Sequence, residues 1–365
     1  MKREIGISIY PEQSSFEKDK EYLDLAKSLG YKVVFTSLLH FVNDSDQESK
    51  QKKVLKSIKY AYDAGFYTIL DVEEKSLEKL NKSIFFSDFS DIGVSCIRMD
   101  TPLKAMEFAF ATHNPNEFDL QINMSNNDSL IDNIIEYKPV VEKLSGCHNF
   151  FPFKYTGLPF DFFEEANKKF LKHNIYTSAF VGSSFGTMTP AINQKELPTL
   201  EMQRELPIDA QAKILFYSDQ IKCVIIGNSY ASNEELEKLA AVSRYTKEIN
   251  ITLDEGVTKE ELEIINSNMH YRRADINEYF VRSCAPRIFN KKSILNKRGE
   301  HKFFKRGDVI IVNNLDERYK AELHIVLKDE FENYRGRYNR VGSINLNEIK
   351  LLDFLTQNTY FKLKL

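Results

Sequence analysis

The 365-residue chain is poor in the residues that break or staple a fold. It holds 14 glycines and 10 prolines, below the usual ~7% and ~5%, which excludes collagen-like and linker-dominated architectures. Its four cysteines, Cys96, Cys147, Cys223 and Cys284, are 51, 76 and 61 residues apart with no CxxC pair. Three lie in apolar, strand-like runs, the pattern of buried thiols in a reducing compartment. No stretch reaches the roughly 18 apolar residues of a membrane helix. The apolar run at 5–10 is too short for a signal-peptide core and meets Pro11-Glu12. A cytoplasmic location is expected. An excess of one charge is lacking too: 50 Lys and Arg against 53 Asp and Glu leave −3, so no overall field recruits nucleic acid or an acidic membrane. The Gly-rich dinucleotide fingerprint, the P-loop and the GxSxG elbow are missing. The seven histidines are scattered, none paired at i, i+4, which argues against zinc. No metal or cofactor is expected.

What is present is a rhythm. Short, continuously apolar runs recur at 4–10, 32–38, 67–72, 94–99, 118–124, 146–151, 175–181 and 221–226, too apolar for a sheet with one wet face and therefore parallel strands covered on both sides. Between them, Tyr22, Leu25, Ala26 and Leu29 share one helical face closed by Gly30, and Val54, Leu55, Ile58, Ala61 and Tyr62 repeat the pattern before Gly65. Leu158-Pro159 opens a helix running to about His173, and Ser232-Asn233-Glu234-Glu235 is a capped start. Eight such units over residues 1–245 predict a (β/α)8 TIM barrel; an open doubly wound sheet, the alternative, needs fewer. From about Ile249 strand-like runs follow one another without long helices, at 278–283, 308–313, 319–327, 339–344 and 360–363. Residues 249–365 are expected to form a small antiparallel β-barrel or sandwich. The part before Arg244 carries about −8, and the chain from Arg244 to its end about +5. Its segment 282–306 holds nine basic residues against Glu300 and reads as a solvated loop.

A (β/α)8 barrel builds its active site at the carboxyl ends of its strands. Those ends carry Glu12 after the first run, Asp71 in the third, Arg98 and Asp100 in the fourth, and Asn123 in the fifth. His148 and Asn149 follow with Lys154 beyond them, then Glu201 and Arg204, and finally Asn228. Carboxylates among amides, aromatic rings and a few cations suit sugar chemistry. One carboxylic acid protonates the leaving oxygen while another carboxylate attacks or activates water. Each residue has an ordinary alternative. Asp71 or Asp100 can cap a helix or pair with Arg98, and Glu201 suits a helix first turn. His148 among apolar neighbours reads as a core histidine, and Phe150, Phe151 and Phe153 as packing. Convergence at one barrel face is what favours chemistry.

These stretches also resemble one family. Gly6-Ile7-Ser8-Ile9-Tyr10-Pro11-Glu12, Leu70-Asp71-Val72, Ile97-Arg98-Met99-Asp100 and Gly146-Cys147-His148-Asn149-Phe150-Phe151-Pro152 are similar to the bacterial 6-phospho-N-acetylmuramidases. Thr156-Gly157-Leu158-Pro159, Thr199-Leu200-Glu201, Tyr271-Arg272-Arg273 and Lys297-Arg298-Gly299 extend the likeness over nearly the whole chain. The sequence departs from the family's pattern at Phe151, where Tyr is common, at Gln203 in place of His, and at Ala274 in place of Gly. The resemblance implies that the barrel is followed by a cyclophilin-like β-barrel. It also implies hydrolysis of the β-1,4 bond of 6-phospho-N-acetylmuramyl-N-acetylglucosamine, a cytoplasmic step of cell-wall sugar recovery. In that scheme Asp71 and Asp100 are the central carboxylates, with Glu12 or Glu201 as replacement acid. Asn123, His148, Asn149 and Asn228 bind hydroxyls and the acetamide. Arg98, Lys154 and Arg204 meet the phosphate and the lactyl carboxylate, and the basic segment is available to close over them. The expected partner is a small phosphorylated disaccharide, with no nucleic acid or membrane. Two rivals stand: a glycosidase for another 6-phosphorylated disaccharide, and a non-catalytic phospho-sugar-binding or prolyl-isomerase-like protein.

Overall fold

The apolar runs fold into eight short strands, β1 (Glu4–Ser8), β2 (Val33–Ser37), β3 (Tyr67–Val72), β4 (Cys96–Met99), β5 (Asp119–Asn123), β6 (Leu144–Cys147), β7 (Tyr176–Val181) and β8 (Cys223–Ile226). Helices alternate with them: α1 (Phe16–Ser28), α2 (Gln47–Asp63), α3 (Glu74–Lys79), α4 (Ala105–Ala111), α5 (Leu130–Glu136), α6 (Phe160–Leu171), α7 (Ile208–Tyr217) and α8 (Asn233–Ala240). The computed structural model describes residues 2–38, 47–116, 118–189, 196–268 and 270–365. Neighbouring strands pair in parallel in chain order, and β8 returns to β1, so the sheet closes into the expected (β/α)8 barrel. The capped start at Ser232 holds as well: its hydroxyl accepts from the Glu235 amide at 3.2 Å, and the Glu235 carboxylate accepts from the Ser232 amide at 3.1 Å.

The two-residue period of a strand sends alternate side chains inward. Val33, Phe35, Ile69, Cys96, Cys147, Phe180, Cys223 and Ile225 fill the barrel interior. Phe180 meets Phe35 and Phe150 edge-on, at 5.2 and 5.1 Å between ring centres. The outward set, including Leu70, Ile97, Leu120 and Ile122, packs against Val54 and Ile58 of α2, Phe108 of α4 and Ile134 of α5. Such buried aliphatic and aromatic chains are worth ~1.5–3 kcal/mol each against exposure. Continuing the inward period to the carboxyl ends brings up Ser37, Asp71 and Arg98. The register then sets Ser37 beside Asp71, Asp71 beside Arg98, and Arg98 beside Gln121. One strand is displaced from its predicted span: β6 ends at Cys147, and residues 148–151 leave the sheet. Their apolar character serves the barrel's top, where Phe150 plugs the interior and the Phe151 amide donates to the Pro198 carbonyl at 2.9 Å.

The chain divides into two compact units, Met1–Val242 and Ser243–Leu365. The second contains β9 (Lys247–Leu253), α9 (Lys259–Ile265), β10 (His270–Tyr271), β11 (Phe280–Ser283), α10 (Ala285–Phe289), β12 (Phe303–Phe304), β13 (Asp308–Val312), β14 (Leu323–Val326), β15 (Phe331–Glu332), β16 (Tyr338–Ile344) and β17 (Tyr360–Lys364). Seven strands form one sheet in the order β10-β17-β9-β16-β13-β14-β11, and β12 pairs with β15. The sheet curls until its edges nearly meet. The Arg273 amide donates to the Arg282 carbonyl at 3.0 Å, and His270 Nδ1 lies 3.0 Å from Ser283 Oγ. The barrel-like alternative is thus the observed one, corrected in one respect: β17 runs parallel to β9, because the chain crosses from β16 to the far side of β9 through the 3-10 segment Leu346–Phe354. Phe304, Ile310, Val312, Val326 and Tyr338 form its core cluster. The basic segment 282–306 spends much of its charge inside this unit: Arg282 and Arg287 pair with Glu322, Arg298 with Glu261, and Arg306 with Asp353. Among the described residues no helix is long and apolar enough to cross a membrane.

Candidate active site

The inward-facing ends of β3 and β4 meet over Arg98, which is only 3% exposed. Its Nη1 donates to Asp71 Oδ1 at 2.6 Å and to Asp100 Oδ1 at 3.4 Å, and its Nη2 donates to Asn149 Oδ1. One guanidinium therefore organises two carboxylates and an amide, the fork geometry for which arginine is suited. The carboxylates differ. Asp71 is buried, whereas the Asp100 side chain is 43% exposed. Burial pushes the Asp71 carboxyl up from its ordinary value; Arg98 works against that rise and the nearby Asp100 charge adds to it.

Glu12 stands on the 3-10 turn Pro11–Gln13 that follows β1. Its Oε1 accepts from Gln13 Nε2 at 2.9 Å, and its buried Oε2 has no hydrogen-bond partner among the described residues. Burial raises its carboxyl, with the charge of Asp19 acting in the same direction. Beneath it, the buried Tyr10 hydroxyl donates to the Gly227 carbonyl at 2.5 Å, and the charges of Glu12 and Asp71 both act on this phenol. Asp19, which lies away from the strand ends, is fully buried and accepts from Ser14, Ser57 and Tyr230 hydroxyls at 2.7, 2.7 and 2.5 Å. Its signal was an acid on the buried face of α1 shared with Tyr22, Leu23 and Ala26.

The remaining candidates are placed differently. His148 turns toward α6 instead of the mouth, its ring 4.6 Å from Phe163, with Nε2 3.0 Å from Asn167 Oδ1 and Nδ1 3.2 Å from Ser125 Oγ. Burial pushes it down to about 4. The Ser125 hydroxyl also accepts from the Asn149 backbone amide at 2.8 Å, so His148 positions Asn149 through Ser125. Asn123 Oδ1 accepts from the Ser125 amide at 2.9 Å in the same turn.

Arg204 grips Glu201 with Nε and Nη2 at 2.7 and 2.9 Å, and Nη2 also donates to the Phe151 and Phe153 carbonyls at 3.1 Å. Glu201 accepts the Tyr155 and Gly157 amides at 2.8 Å each. Its carboxyl is held at about 2, chiefly by the Arg204 hydrogen bonds. The pair is a clip on the 151–157 loop, where the sequence suggested an acid and an anion-binding cation. Asn228 is likewise consumed. Its amide donates to the Ser183 and Gly186 carbonyls and accepts from the Ser183 amide, all at 2.8 Å. Lys154 is exposed and pairs with Glu205 at 2.8 Å. Among the described residues no group of His, Cys, Asp or Glu could hold a metal ion.

The order of these residues along a closed barrel followed by a nearly closed sheet agrees with what known proteins show. Models of the N-terminal and C-terminal regions of 6-phospho-N-acetylmuramidase match residues 5–241 and 247–364. The chain belongs to the 6-phospho-N-acetylmuramidase family. Among solved structures, an uncharacterized B. cereus protein is 36% identical over 100% of both chains, with a TM-score of 0.90. A conserved Enterococcus faecalis protein of unknown function is 20% identical over 99% of this chain and 96% of that one, at a TM-score of 0.71, and shares the fold. No curated protein matches the chain. The family's name supports a glycosidase-like role, and the Asp71–Arg98–Asp100 group lies where such a barrel performs its chemistry.

Proposed function

We propose that the chain is a cytoplasmic glycoside hydrolase that cleaves the β-1,4 bond of 6-phospho-N-acetylmuramyl-N-acetylglucosamine in the recovery of cell-wall sugars. The observation that carries this reading is the pair of carboxylates on Arg98 at the barrel mouth of a chain in this family. Asp100, the more exposed of the two, faces the anomeric carbon, while Asp71 anchors Arg98 from below. The proton for the leaving oxygen comes from Glu12. Its raised carboxyl has an oxygen engaged by no donor, whereas Glu201 is held ionised by Arg204 and Asp71 is clamped by Arg98. Protonation of the bridging oxygen breaks its bond to the anomeric carbon and releases N-acetylglucosamine, and the adjacent carboxylates stabilise the oxocarbenium-like centre until water adds to that carbon and returns a proton to Glu12. Asn123 and Asn149 read hydroxyls and the acetamide. Lys154 meets an anionic group, exchanging its exposed pair with Glu205 for it.

The test replaces Asp71 and Asp100 with Asn separately and follows sugar release from the phosphorylated disaccharide. Folded variants are expected to lose at least ~10²-fold in turnover. Parent-rate turnover in both sinks the assignment. Turnover that ignores removal of the lactyl ether points to another 6-phosphorylated disaccharide, and thermal stabilisation without any turnover points to a binding protein.

A further inference from the structure

Asp19 is fully buried on α1, yet its donors among the described residues are three hydroxyls and no cation. Ser14 and Tyr230 both donate to Oδ1, and Ser57 donates to Oδ2. A carboxylate taken out of water without an opposite charge is expensive to keep. Capping α1 does not explain it, because Ser15 already serves that end by accepting the Lys18 amide at 3.3 Å. The three donors come instead from separate parts of the barrel. Ser14 ends the turn after β1, Ser57 lies on α2, and Tyr230 follows β8. What this junction holds is the turn that carries Glu12. The Ser14 amide closes that turn on the Pro11 carbonyl at 3.3 Å while its hydroxyl is tied to Asp19. Gln13 Nε2 bridges Glu12 Oε1 and the Thr189 carbonyl, at 2.9 and 2.7 Å. On the other side Tyr22 meets the Tyr230 ring edge-on at 4.8 Å, and its hydroxyl accepts the Ala231 amide at 3.2 Å. The Glu12 turn is thus fastened to α1 and to the segment after β8 through one carboxylate.

The same carboxylate also acts through its charge. Two helices turn charged groups toward Glu12, Asp19 from α1 and Lys50 from α2. The Tyr10 phenol lies near it at the end of β1, with Asp71 of β3 acting on that phenol too. Burial is what chiefly lifts the Glu12 carboxyl; the Gln13 hydrogen bond and Lys50 pull it down, and Asp19 pushes it up. Three hydroxyls orient the Asp19 carboxylate without neutralising it, so its field reaches the neighbouring acid. We propose that Asp19 is the positioning residue of the proton donor: through Ser14 and Tyr230 it fixes the turn that carries Glu12, and its negative charge, met by hydroxyls alone, disfavours a second charge on Glu12. The inference rests on Glu12 as the acid proposed above and adds the group that sets its place and its protonation.

The experiment compares the full-length parent with Asp19→Asn, Ser14→Ala, Tyr230→Phe and Glu12→Gln. Carbon NMR of protein labelled at the glutamate carboxyls follows the titration of Glu12, whose signal is the one missing from Glu12→Gln. Hydrolysis of the phosphorylated disaccharide is measured across pH. The proposal expects the Glu12 midpoint to fall by about half a unit or more in Asp19→Asn, and the alkaline limb of the rate profile to move to lower pH with it. In Ser14→Ala and Tyr230→Phe, which keep the charge and cut a tie, the midpoint should not fall. All three variants should lose about tenfold or more in kcat with KM within about twofold of the parent. An unmoved Glu12 midpoint in Asp19→Asn overturns the proposal. Parent-level kcat in both Ser14→Ala and Tyr230→Phe overturns it as well, and decides the matter should Asp19→Asn not fold. An alkaline limb that vanishes in Glu12→Gln but stays in place in Asp19→Asn overturns the role of Asp19 alone. A parent without turnover, or a limb indifferent to Glu12→Gln, sinks the reading of Glu12 as the acid and the positioning role with it.

Discussion

Glu12 and Glu201 show how far one residue type diverges with its surroundings. Glu12 is lifted by burial with an oxygen left over; Glu201 is pulled down to about 2 by Arg204 and two backbone amides. An acid catalyst works only while protonated, so the rate falls as pH rises through the Glu12 pKa, and the raised value extends activity upward. Glu12→Gln is expected to lower kcat ~10²–10⁴-fold, to abolish the alkaline limb of the pH–rate profile, and to be rescued by an aryl leaving group that needs no proton. Glu201 behaves oppositely. A carboxyl depressed in the fold stabilises it fully above the ordinary value of 4.5, and this contribution drains away as pH drops toward about 2. Melting curves should show Glu201→Gln less stable than the parent at neutral pH, with the gap narrowing steadily below pH 4.5; a gap independent of pH would refute the clip. Neither fate was legible in the sequence. The amides that saturate Glu201 come from residues 155 and 157, forty-odd positions upstream, and adjacency of that kind is created by folding.

At the level of elements, the strand–helix alternation was readable because its periods differ: two in strands, 3.6 in helices. The apolar span 67–72 coincides with β3, whereas β6 ends before the run 148–151, because aromatic residues that cap a barrel look the same in sequence as those inside a strand. The second unit is less legible in its sequence. β9 has only one buried face and carries no continuous apolar run, and the two-residue strands β10, β12 and β15 are too short for any period. The loop after β6 carries a further prediction. A Cβ at Gly157 would lie 2.5 Å from the Glu201 amide nitrogen and 2.8 Å from its Cα. Neither backbone atom can yield without opening the clip. Gly157→Ala should cost ~1–3 kcal/mol in denaturant unfolding and reduce turnover through displacement of Asn149. A variant with unchanged midpoint and rate would show that the loop is not held as described.

For the whole molecule, each unit has a hydrophobic cluster of its own, Val33, Phe35, Phe180 and Ile225 among others in the barrel, and Phe304, Ile310 and Val326 in the second unit. Residues 243–365 are therefore expected to fold when expressed alone, giving dispersed amide resonances and a cooperative melt. Phe304→Ala should cost that fragment ~3–5 kcal/mol. A fragment that is collapsed but without fixed packing would count against an independent core.

The order of apolar runs, the helix caps and the acids placed at strand ends determined the (β/α)8 architecture, because hydrophobic burial obeys local periodicities written along the chain. Tertiary structure alone decided which of those acids and cations remain available. Asp71 and Asp100 share Arg98, Glu201 and Arg204 consume each other, and His148 and Asn228 are spent bracing loops. Availability depends on what arrives across space to satisfy a polar atom, and the partner's position in the sequence carries no trace of that meeting.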